Sequence, residues 1–70
     1  MLPLTFADTG EDNIIRKVGG SPEVRKHLED LGFVVGATVN VVSSNGGNVI
    51  VSVKDTRIAI SREMAQKIMV

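Results

Sequence analysis

Glu23, His27 and Asp30 are the residues best placed to do chemistry. Their i, i+4, i+7 spacing projects a nitrogen and two oxygen ligands from one side of a helix, the donor types that suit a divalent transition metal. His27 is the only histidine, and no second group orients it, so the trio reads as a solvated polar flank and no metal ligand is assigned. Gly19-Gly20-Ser21 resembles a backbone nest for an anion at a helix start. No lysine follows at phosphate-loop spacing, and Ser21 is accounted for as a helix cap. Ser43, Ser44 and Ser61 lack a base with an orienting partner, so no catalytic residue is assigned and the chain reads as a non-enzyme. Arg16, Lys17, Arg25 and Lys26 form the one dense basic set. With acidic residues interleaved and only Phe6 and Phe33 able to stack on bases, it reads as a solvated surface, so nucleic acid is not expected as a partner. No cofactor is implied.

Phe33-Val34-Val35 holds a different kind of signal. Phe33 follows Gly32 and suits the hydrophobic contact that closes a helix C-terminus. Three apolar residues in a row cannot all point inwards, so Val34 or Val35 is expected on the surface, where it would contribute to a partner-binding patch.

The elements that must hold these residues follow from composition and pattern. The chain has 70 residues, sized for one domain spanning 1–70, and lacks cysteine, which removes disulfides and thiol chemistry. Eight Lys+Arg balance eight Asp+Glu, which argues against a general binder of polyanions. No apolar run reaches the roughly 20 residues that span a bilayer, and no basic flank marks a signal peptide, so direct membrane insertion is not expected. Counted along the sequence, 17 of the 70 residues are Val or Ile, against four Leu. Side chains branched at Cβ favour strands, so the core should be mainly β.

Leu2-Pro3-Leu4-Thr5-Phe6 reads as a short edge strand, followed by a turn cluster around Asp8–Asn13. Asn13–Val18 reads as a strand whose adjacent Ile14 and Ile15 break alternation. Ser21 caps a helix with Pro22 at its first position, a stripe of Val24, Leu28 and Leu31, and Gly32 at its end. Ala37–Ser44 and Val49–Lys54 form a hairpin about Asn45-Gly46-Gly47, residues that accept positive φ. Asp55-Thr56 turns into a strand at Arg57–Ile60. Ser61 then caps a short helix before a closing strand at Ile68–Val70. A meander of short strands with one inserted α-helix and a short C-terminal helical turn describes a small SH3-like barrel.

The ordered run Gly20…Arg25-x-x-Leu28-x-x-Leu31-Gly32-Phe33-x-x-Gly36-x-x-Val39-x-Val41 resembles the centre of the FeoA family. The tail Arg57-Ile58-Ala59-Ile60-Ser61-x-x-x-Ala65-x-x-Ile68-x-Val70 is similar to the family's end, and Leu2…Leu4 with Ile14-Ile15 fits its start. Asn48 stands where members often carry proline, and Thr56-Arg57 where many carry glycine. The resemblance implies a cytoplasmic accessory protein of bacterial ferrous-iron uptake, engaging the cytosolic part of the membrane transporter FeoB. Arg25, Phe33, Val34 and Val35 would form the partner-binding surface, and a second copy of the chain is also a candidate partner. The alternative is a metal-linked regulatory module like the SH3-like C-terminal domain of iron-dependent repressors. That reading requires the chain to be a fragment, since these 70 residues contain no helix-turn-helix.

Overall fold

The computed structural model describes all 70 residues, Met1–Val70. Strands β1 (Asp12–Ile14) and β2 (Lys17–Val18) precede helix α1 (Pro22–Asp30). Strands β3 (Thr38–Asn45), β4 (Asn48–Val53) and β5 (Thr56–Ser61) follow, then helix α2 (Arg62–Ala65) and strand β6 (Ile68–Met69). A four-stranded antiparallel sheet runs in the order β1-β3-β4-β5, and a second sheet pairs β2 with β6. The mainly β architecture and inserted helix are those read from the sequence.

The doublet Ile14-Ile15 marks where the chain leaves one sheet for the other. Ile14 is 47% exposed at the end of β1, whereas Ile15 is fully buried. The expected single strand over Asn13–Val18 is thus two short ones. Ile15 still donates its N–H to the Ala37 carbonyl at 2.9 Å, and Arg16 donates to the Met69 carbonyl at 2.8 Å, so the crossing segment ties the two sheets together.

The opening is not a strand. Pro3 makes a lone bridge to Met69, and Leu4–Phe6 form one turn of 3-10 helix. On a strand Leu2, Leu4 and Phe6 would share one face. The tighter turn instead buries Leu4 completely and leaves Phe6 69% exposed.

The core is a single cluster of 13 residues in which Val39, Val41, Val49, Val51 and Val53 alternate inward from β3 and β4. A bulge between Val41 and Ser43 shifts the register by one residue, moving Ser43 and Ser44 opposite Ile50 and Val49. Phe33, Leu28, Ile15, Leu4 and Ile68 fill the space between the sheets and α1. Burial of these apolar side chains, at about 25 cal/mol per Å² removed from water, is the main stabilising term in a chain without disulfides.

Candidate functional site

The loop after α1 is built by the sequence that ends the helix. Ser21 accepts a hydrogen bond at its Oγ from the Val24 N–H at 3.3 Å, with Pro22 at the first helical position. At the other end Leu31 is the cap, and Gly32 takes φ +109°, a conformation an L-side chain rarely adopts. The Gly32 N–H then donates to the Glu29 carbonyl, and the Phe33 N–H to that of Leu28, both at 2.9 Å. These bonds occupy carbonyls that a helix end leaves free, and they drive Phe33 back under the helix.

Beyond Phe33 the backbone folds into a tight turn. Ala37 donates its N–H to the Val34 carbonyl at 3.0 Å, and Gly36 occupies the third position of that turn with φ +92°. This is the arrangement of a type II turn, in which glycine is favoured at that place. Gly36 also donates to the Ile15 carbonyl at 2.8 Å, fastening the turn to the segment that crosses between the sheets. Val35 therefore stands at the corner, 66% exposed.

The four residues expected at a partner surface separate in space. Val35 is exposed, Val34 is half-buried, and Arg25 is exposed on the second turn of α1. Six residues along the helix place Arg25 about 9 Å from the Leu31 cap. Phe33 is fully buried, so it supports the loop from below and lends no exposed surface of its own to the expected contact set. Glu23, His27 and Asp30 all lie exposed on α1, and no three His, Asp or Glu side chains of the molecule gather into a set that could hold a metal ion.

The remaining exposed apolar side chains escaped the sequence reading. Met1 (75%), Leu2 (52%) and Phe6 (69%) lie at the N-terminal end of the barrel. Leu2 exchanges backbone hydrogen bonds with Val70 at 2.9 and 2.8 Å, so the two chain ends are held together there. The signal that could have found Phe6 is Pro3, which cannot donate to a ladder and breaks the strand that would have aimed Phe6 inwards.

One open cleft of about 360 Å³ lies on the outer face of the larger sheet. Asp12, Thr38, Asn40, Ser52, Lys54 and Asp55 line it, and Asn40 donates its Nδ2–H to Asp12 Oδ1 at 3.0 Å. Ala37 completes the lining, whose charged side chains are of both signs. No helix is long and apolar enough to cross a membrane.

Comparison with known proteins agrees with this geometry. The chain is 39% identical, over its full 70 residues and 85% of the relative, to Fe(2+) transport protein A of Methanocaldococcus jannaschii. A crystal structure of the iron uptake regulatory protein FeoA superposes with a TM-score of 0.89 at 30% identity, covering 97% of this chain and 92% of that one. The FeoA of Stenotrophomonas maltophilia, an SH3-domain protein crystallised with zinc, gives 0.85 at 23% identity over 99% and 88% of the two chains. A manganese-dependent transcriptional repressor shares the fold at 14% identity, with a TM-score of 0.85 over 94% of this chain and 38% of the repressor. The FeoA domain model matches residues 2–70, and with that match spanning all but the first residue of the SH3-like barrel, the chain belongs to the FeoA family.

Proposed function

We propose that this chain is a non-enzymatic accessory protein of ferrous-iron transport that works in the cytoplasm by docking on the cytosolic part of the membrane transporter FeoB. Family membership supplies the pathway. The observation that carries the docking surface is Val35, an apolar side chain held out at a turn corner by Gly36 and by the buried Phe33 beneath it. A branched side chain exposed on a rigid corner costs little entropy to immobilise in a partner's pocket, which is how a small anchor contributes to binding. Val34 adjoins it on the loop, and Arg25 stands apart on α1.

Val35→Glu places a charge at the corner without touching the core. The folded variant should lose capture by the transporter's cytosolic domain in a pull-down, with its circular dichroism unchanged. Capture equal to that of the unaltered chain removes this loop as the docking surface.

A metal-linked regulatory module is the second reading, and the likeness to the manganese-dependent repressor favours it at the level of fold. It requires a tight metal site, which titration with ferrous ion would reveal.

A further inference from the structure

The larger sheet ends on β5, which pairs with β4 on one side and with no strand on the other. Its hairpin fixes which backbone groups are left over. Val53 and Thr56 flank the two-residue turn Lys54-Asp55 and form the hydrogen-bonded pair that closes it. Pairs then alternate, so Ile58 and Ile60 bond to β4 while Arg57 and Ala59 turn their N–H and C=O groups away from it. None of the backbone hydrogen bonds outside the regular ladders involves Arg57 or Ala59.

Arg57 is the one charged side chain that guards this edge. The strand has no proline, no lysine and no bulge, and its register with β4 is continuous over six pairs. The opposite edge, β1, is only three residues long and begins with Asp12. Ile58 is half-buried and Ala59 exposed, so apolar surface lies along the unpaired side.

We propose that two copies of the chain associate by pairing β5 with β5 antiparallel about a two-fold axis at Ile58. In that register Ile58 faces Ile58 of the second copy as a non-hydrogen-bonded pair, and Arg57 faces Ala59. The free N–H and C=O groups of Arg57 and Ala59 in both copies are all used. Each guanidinium lies opposite a small apolar side chain instead of its own copy, so no like charges meet. Shifting the register by two residues would bring in Ser61, whose carbonyl serves the first turn of α2 as its N-cap. A formal net charge of zero leaves no long-range repulsion between copies. The pairing buries little area and belongs to the weak, reversible class of interface. It stands independently of the transporter reading.

Sedimentation equilibrium of the full chain should show a monomer–dimer equilibrium as concentration rises to about 1 mM. Ala59→Pro removes an outward N–H while leaving the β4 ladder intact, and should give a folded monomer. The absence of native cysteine allows a direct test of register. In a non-hydrogen-bonded pair the Cα atoms are about 4.5 Å apart, so Ile58→Cys should form an intermolecular disulfide readily. Ala59→Cys should link far more slowly, because residue 59 lies about 8–9 Å from its copy, beyond the roughly 7 Å limit. A chain that stays monomeric throughout, as it would if the edge served a strand from a different protein, overturns the proposal. So does a folded Ala59→Pro variant that still dimerises, or linking at position 59 as fast as at 58.

Discussion

The two phenylalanines show how far residue type falls short of residue role. Phe33 is fully buried at the junction of α1 with the sheet, and Phe6 is largely in solvent on a 3-10 turn. Truncating the first removes contacts that nothing nearby can replace, and truncating the second removes almost none. Phe33→Ala should cost about 3–5 kcal/mol, enough to unfold much of a small domain. Phe6→Ala should stay within about 0.5 kcal/mol of the unaltered chain. Urea denaturation followed by circular dichroism measures both, and a Phe6→Ala cost as large as that of Phe33→Ala would contradict the burial assigned to the two rings. The exposed Val35 corner depends on the same residue, since Phe33 anchors the loop that presents it.

Among the elements, the two hairpin turns differ from what their residues suggest. Gly46 and Gly47 join β3 to β4 without entering the left-handed region. Lys54 and Asp55 join β4 to β5 and do enter it, at φ +50° and +62°. That pair of positive φ values is the mark of a type I′ turn, whose twist matches the flanking strands. Side chains beyond glycine are strained there, and Asp tolerates it better than Ala because its short polar group bonds locally. Asp55→Gly should therefore be more stable than Asp55→Ala by about 1 kcal/mol, read from thermal melts of the two variants. Equal melting would show that the turn does not hold this conformation in solution.

For the whole molecule, the question is whether the fold gathers ligands that the sequence scatters. It does not bring the α1 carboxylates and His27 together with any further donor, and the one cleft is lined by Lys54 as well as by Asp12 and Asp55. Anaerobic calorimetry with ferrous ion should therefore show no binding tighter than about 1 mM. A tight stoichiometric isotherm would favour the metal-linked regulatory reading over the docking one. Zero net charge and an apolar corner favour recognition through surface shape.

Sequence alone determined the features that local chemistry enforces. The Ser21 cap, Pro22 and Gly32 set the limits of α1 because capping bonds and φ preferences act within a few residues. The valine alternation of β3 and β4 set which face enters the core, because the pleat has a period of two. The ordered motifs from Gly20 to Val41 and from Arg57 to Val70 pointed to the family that the comparison showed. Tertiary structure decided what depends on distant partners. It split the Ile14-Ile15 segment between two sheets, turned Phe6 outward and buried Phe33 beneath a loop whose corner belongs to Val35. It also left the outward backbone groups of Arg57 and Ala59 without a partner strand, because an edge exists only once the strand order of the sheet is settled.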